Sequence, residues 1–125
     1  MMARFALIVE DDRDVAALYR HVVESLGFET EVLRSGEAAS ARLEMIVPAV
    51  VVLDMHLPVH ISGSDLLHQI RTDKRLTRTR VIVVTGHAEL AETIRDEADA
   101  VLIKPVDISQ LSDLIAHLLP RDRAD

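Results

Sequence analysis

Apolar residues in this chain fall into two kinds of pattern. Four short stretches are almost continuously apolar: Phe5 to Val9 (FALIV), Ala49 to Asp54 (AVVVLD), Val81 to Thr85 (VIVVT) and Val101 to Ile103 (VLI). Runs this short and this rich in Val, Ile and Leu predict parallel strands buried on both faces. A fifth stretch, Phe28 to Leu33 (FETEVL), alternates apolar and polar positions, as a strand does at a sheet edge with one face in water.

Between these runs the spacing turns helical. Val15, Leu18, Val22 and Leu26 share one helical face, with Asp12 or Asp14 able to cap the start and Gly27 supplying a left-handed stop. Ser35 to Ile46 reads as a second helix, capped by Ser35 and closed before Pro48. A third, from about Gly63 to Arg71, carries Leu66, Leu67 and Ile70. Leu90, Ala91 and Ile94 mark a short fourth helix of roughly three turns. Asp107 with Gln110 resembles a capping box for a last helix, which presents Ile108, Leu111, Leu114, Ile115 and Leu118 to the sheet and ends at Pro120. The basic stretch Thr72 to Arg80 is expected to be solvated, and the residues after Pro120 (RDRAD) a polar tail.

Five β/α units in succession imply an α/β fold: a doubly wound parallel sheet with right-handed crossovers and helices on both faces. With the alternating second strand at one edge, the strand order is 2-1-3-4-5, the flavodoxin-like order. Its topological switch point then lies between the first and third strands.

Composition narrows the function. A chain of 125 residues, 49% hydrophobic and 28% charged, fits one domain, 1–125, with one core. No basic, apolar leader, lipidation signal or long apolar run suggests export or a membrane span, so a cytoplasmic protein is expected. The net charge is -7 and aromatic residues make up 2%. That balance argues against direct binding of nucleic acid, which needs clustered cations or stacking platforms. Zero cysteines exclude disulfides and thiol chemistry.

The strand ends carry the chemistry. Glu10, Asp11 and Asp12 follow the first strand, Asp54 closes the third, Thr85 closes the fourth and Lys104 follows the fifth. In an open α/β sheet these carboxyl ends face the crevice where ligands bind. Singly, each residue has an ordinary structural explanation: a turn aspartate, a strand terminus, a snorkelling lysine, a helix cap. Together on four strand ends they point to a site. Crowded carboxylates call for a compensating cation, and an all-oxygen donor set suits Mg²⁺. A carboxylate beside Mg²⁺ can act as a nucleophile toward phosphorus, with Lys104 and the Thr85 hydroxyl holding the remaining phosphoryl oxygens.

Four motifs, LIVEDD (Leu7 to Asp12), VVVLDMHLP (Val50 to Pro58), VIVVTG (Val81 to Gly86) and LIKP (Leu102 to Pro105), resemble those of the receiver domain of two-component response regulators, along the whole chain. The resemblance implies Asp54 as phosphoacceptor, Asp11 as direct Mg²⁺ ligand, Glu10 as its acidic partner through water, Thr85 as the switching hydroxyl and Lys104 as phosphate partner. It also implies a cis bond between Lys104 and Pro105. Three departures stand out. Val101 occupies the place of the family's usual aromatic residue, three before the lysine. The segment from Thr85 to Lys104 is shorter by about one helical turn. The loop from Pro58 to Gly63 holds one extra residue, Val59 to Ser62 standing where three are usual.

His56 and His87 lie two residues beyond Asp54 and Thr85, positions that by resemblance flank the path of the hydrolytic water. An imidazole there can orient or block water and titrates near neutrality, so both are candidates for tuning the phosphoryl lifetime; the alternative is that both are solvated loop residues. His56 and His60 have i, i+4 spacing, but Pro58 between them opposes a helix, so no zinc site is expected from that pair.

The expected function is a stand-alone receiver, without an effector domain, that accepts a phosphoryl group from a sensor histidine kinase or a histidine phosphotransfer protein and relays the signal through a downstream protein. It is not expected to be an enzyme beyond its own phosphorylation and dephosphorylation. The alternative is a phosphorylation-independent receiver-like binding or assembly module, toward which Val101 and the short fourth helix lean. A metal-dependent phosphohydrolase ranks last, because His56 stands where such an enzyme would carry a second aspartate.

Overall fold

The computed structural model describes residues 4–120, so the RDRAD tail lies outside the described residues. Among these residues five strands, β1 (Arg4–Val9), β2 (Phe28–Leu33), β3 (Val50–Asp54), β4 (Arg80–Thr85) and β5 (Ala100–Ile103), alternate with five helices. The helices are α1 (Arg13–Ser25), α2 (Gly36–Leu43), α3 (Gly63–Thr72), α4 (Ala88–Ile94) and α5 (Ile108–Leu118). All pairings are parallel and the sheet order is β2-β1-β3-β4-β5.

Strand pleating explains the continuous apolar runs. Leu7, Val9, Val51, Leu53, Val81 and Val83 point to one face, where they pack with Leu43, Leu66, Leu67, Ile70 and Ile94 from α2, α3 and α4. Their neighbours Ala6, Ile8, Val50, Val52, Ile82 and Val84 point to the other, against Tyr19, Val22 and Val23 of α1 and Leu111 and Ile115 of α5. Both faces are covered, so the interior positions 6–9, 50–53 and 81–84 are all apolar, and polar residues in these strands occur only at the strand ends.

Local signals place the helix ends. Asp12 Oδ1 accepts the Asp14 and Val15 N–H groups, capping α1. Gly27, at φ +95°, turns the chain into β2. Ser62 and Asp65 form a reciprocal capping box on α3. At α5, Asp107 Oδ1 accepts from Ser109 and Gln110.

Four details depart from the sequence pattern. Leu18 is 48% exposed, and Tyr19, 3% exposed, faces the sheet in its stead. The sheet-facing stripe of α1 is Ala16, Tyr19, Val22 and Val23. Helix α2 stops at Leu43 because Met45 and Ile46 both donate to the Arg42 carbonyl in a closing turn. The basic stretch before β4 is only partly solvated: a 3₁₀ turn, Lys74–Leu76, drives Leu76 fully into the core, and buried Thr79 donates its hydroxyl to the Pro48 carbonyl. Helix α4 has seven residues, nearer two turns than three. Leu90 and Val101 pack against the core around α2, α3 and α4, as does Ile94.

The N-terminus of α2 grips the loop after β3. Glu37 Oε2 accepts the His60 and Ile61 N–H groups at 3.0 and 3.2 Å. Gly36 lies so close that an added Cβ would collide with the Ile61 carbonyl oxygen. The loop holding the extra residue bends through Val59 at φ +74°. Gly36→Ala should therefore destabilise the fold by about 1–3 kcal/mol in urea unfolding. Gly86→Ala, whose Cβ would meet nothing within 4 Å, is the neutral control. Equal midpoints for the two variants would contradict this packing.

Candidate functional site

The parallel register brings the predicted residues to one edge. Val9 of β1 is level with Leu53 of β3, so Glu10 and Asp54 emerge side by side at the switch point. Asp54 is level with Val84, which sets Thr85 one residue beyond on the adjacent strand. Thr85 is level with Ile103 on β5, which delivers Lys104. The Lys104 N–H donates to the Thr85 carbonyl at 2.8 Å and fixes where that side chain starts.

At the centre, Asp54 is 2% and Glu10 1% exposed. Lys104 Nζ lies 3.4 Å from Asp54 Oδ2 and 3.6 Å from Glu10 Oε1, one ammonium facing two buried carboxylates. Asp11 completes an acidic group in which a carboxylate oxygen from each of Glu10, Asp11 and Asp54 lies within 4.8 Å of the others. Thr85 is fully buried, and its hydroxyl oxygen accepts the His87 N–H at 3.1 Å. Asp54 Oδ1 accepts the His56 N–H at 3.0 Å. The Lys104–Pro105 peptide bond is cis, as the sequence motif implied.

Asp12 is removed from the site by its capping role. One contributor escaped the sequence reading. Arg34, directly after β2, donates from Nε and Nη2 to the Asp11 carbonyl at 3.3 and 3.1 Å and fixes the loop that carries the acids. Its place at a strand's carboxyl end was the available signal, but β2 is an edge strand and drew no attention there.

The electrostatics follow from burial. Desolvation raises the Glu10 carboxyl from its ordinary value of 4.5 to about 7, with the nearby Asp54 charge adding to the rise and Lys104 and the Asp12 N–H opposing it. Glu10 Oε1 is buried without a hydrogen-bond partner. One buried oxygen left unpartnered beside two further carboxylates forms a donor set that a hard, oxygen-seeking cation such as Mg²⁺ fits.

The chain matches the model of the response regulator receiver domain over residues 6–116. It belongs to that family, the receiver domains of two-component signalling. It is similar to the polar-differentiation response regulator DivK of Brucella ovis, 30% identical over 94% of this chain and 98% of that one. It is also similar to the phosphate regulon transcriptional regulatory protein PhoB of Rhizobium meliloti, 29% identical over 94% of this chain and 53% of that one. The CheY-like receiver domain of Methylobacillus flagellatus superposes with a TM-score of 0.82 at 28% identity, covering 94% and 99% of the two chains. The chain spans about half or less of the first curated relatives it matches, at 53%, 19% and 23% of their lengths. No helix among the described residues is long and apolar enough to cross a membrane.

Burial of Glu10 has a measurable consequence. A carboxyl whose folded pKa is raised above its unfolded value keeps a proton that the unfolded chain releases, so stability falls as pH rises from 4.5 toward about 7. Metal-free Glu10→Gln should thus be more stable than wild type at about pH 8, by on the order of 2–3 kcal/mol, with the gain shrinking toward zero below about pH 4.5. A stability difference that does not vary with pH would contradict this electrostatic account.

Proposed function

We propose that this receiver is a phosphoacceptor switch in which Asp54 takes a phosphoryl group from the phosphohistidine of a sensor histidine kinase or a histidine phosphotransfer protein. The observation that carries the reading is the buried Asp54 carboxylate with Lys104 Nζ 3.4 Å from Oδ2. In the transfer an Asp54 oxygen attacks phosphorus, the P–N bond breaks and its electron pair returns to the donor imidazole. Lys104 is placed to take up charge on the phosphoryl oxygens. Thr85, whose hydroxyl is spent on the His87 N–H in the unphosphorylated state, would turn it toward the phosphoryl group and shift the start of α4 with it. Glu10, Asp11 and Asp54 are the residues that would hold Mg²⁺. When bound, that ion supplies charge neutralisation for the phosphoryl oxygens.

Output is proposed to pass through a partner protein in the cytoplasm, a reading supported by the near end-to-end match to a response regulator of DivK length. His56 and His87 are proposed as tuners of the phosphoryl lifetime, a reading supported by their backbone N–H bonds to the Asp54 and Thr85 side chains. A second reading, a module that binds partners without phosphorylation, is favoured by half-buried Val101 in place of an aromatic and by the seven-residue α4.

Intact mass after incubation with acetyl phosphate and Mg²⁺ separates the two. The expected result is one added phosphoryl group, lost in Asp54→Asn and on chelation; a folded protein that gains no mass favours the binding module. In the phosphorylated protein, His56→Ala and His87→Ala should each change the dephosphorylation rate several-fold. Rates equal to wild type in both would mark the two histidines as plain loop residues.

A further inference from the structure

The three acids that would hold Mg²⁺ are not held alike. Asp54 Oδ1 accepts the His56 N–H, Glu10 Oε2 accepts the Asp12 N–H at 3.1 Å, and both side chains are buried. Asp11 is half-buried and lacks that enclosure, so the place of its carboxylate depends on its backbone. Backbone support thins out at this point. The β1–β2 pairing ends with the Glu10 N–H on the Leu33 carbonyl at 3.0 Å, and α1 begins only at Arg13. In the gap, the Asp11 carbonyl accepts from Arg34 Nε and Nη2 at 3.3 and 3.1 Å. One exposed side chain from the edge strand bridges the gap with two donors of a single planar fork.

The surroundings explain why that fork turns to a carbonyl. Arg34 lines an open cleft of about 270 Å³ between α1 and β2, shared with Arg13, Arg20 and Glu24. The carboxylate in the cleft is already engaged, because Glu24 Oε2 accepts from Arg20 Nε at 3.2 Å and from the Thr30 hydroxyl at 2.7 Å. Arg34 is left to the Asp11 carbonyl.

We propose that Arg34 is a positioning residue for the Mg²⁺ site, acting through Asp11, an assignment that rests on the Mg²⁺ reading of the acidic group. By fixing the Asp11 backbone it presets that carboxylate beside Glu10 and Asp54 and sets the affinity for the ion. Two effects of Arg34 oppose each other. Its positive charge repels an incoming cation, but the side chain is exposed, and water and salt screen the repulsion. Without the fork, Asp11 has to give up backbone and side-chain freedom when the ion arrives, and outer-shell partners of metal ligands typically carry about tenfold or more in affinity. Positioning wins.

The test is titration of the isotopically labelled, unphosphorylated protein with Mg²⁺, followed by amide chemical shifts, a readout that needs no phosphoryl transfer. Arg34→Ala and Arg34→Lys should each weaken Mg²⁺ binding about tenfold, the lysine because it keeps the charge and loses the fork. Arg20→Ala, which removes the same charge from the same cleft without touching Asp11, should leave the affinity within about twofold of wild type. Amide shifts matching wild type away from the loop after β1 show that the variants, all at exposed positions, are folded. Wild-type affinity in both Arg34 variants, tighter binding in Arg34→Ala with wild-type affinity in Arg34→Lys, or an equal loss in Arg20→Ala overturns the proposal. Those outcomes leave Mg²⁺ bound by the wild type and the reading of the acidic group intact; a wild type that binds no Mg²⁺ overturns both.

Discussion

The structure depends on confining negative charge. Glu10, Asp11 and Asp54 bring carboxylate oxygens within 4.8 Å of one another, and two of the three residues are almost wholly cut off from water. Left ionised, they repel, and only Lys104 among the described residues is placed to offset both buried groups. Here the strand order puts β1 beside β3, and β4 and β5 then add Thr85 and Lys104 from the same side. Each outlying element is a support for that edge. Arg34 holds the Asp11 carbonyl, the Asp12 cap starts α1 immediately after the acids, and Glu37 steadies the loop that leaves Asp54.

A second brace lies at the opposite end of the strands. The Asp99 carboxylate accepts from Arg71 Nη2 at 2.7 Å, Arg80 Nη1 at 3.1 Å and the Val81 N–H at 2.7 Å, joining α3 to the entrance of β4 and β5. The extra residue after Pro58 is accommodated differently. It bends through Val59, a β-branched residue at positive φ, which is uncommon. The Glu37 bonds on the next two residues hold the chain on course into α3.

Much of this was legible in the sequence because it follows from short-range rules. Continuous Val/Leu runs must be buried on both faces, and once the edge strand was recognised from FETEVL the order and the switch point followed. The acids, Thr85 and Lys104 could be placed because strand ends are fixed by the runs that precede them. What stayed hidden depends on packing between elements. The one-residue rotation of α1 that exposes Leu18 and buries Tyr19 is set by the sheet surface, not by helical spacing. The burial of Leu76 within a basic stretch depends on the core cluster shared by α2, α3 and α4, which only the assembled fold defines. The edge contact of His56 with His87 needs both loops in position at once.

The glutamates of β2 have a consequence beyond solubility of one face. As one of the two outermost strands, β2 leaves one row of its backbone N–H and C=O groups without a strand partner, a template onto which another extended chain could add. Glu29 and Glu31 sit along that border, and Glu31 is held in place by Arg42 at 2.9 Å. A second copy approaching border to border would set like charges against each other. The residues that mark β2 as a wet strand therefore also oppose strand addition along that one border.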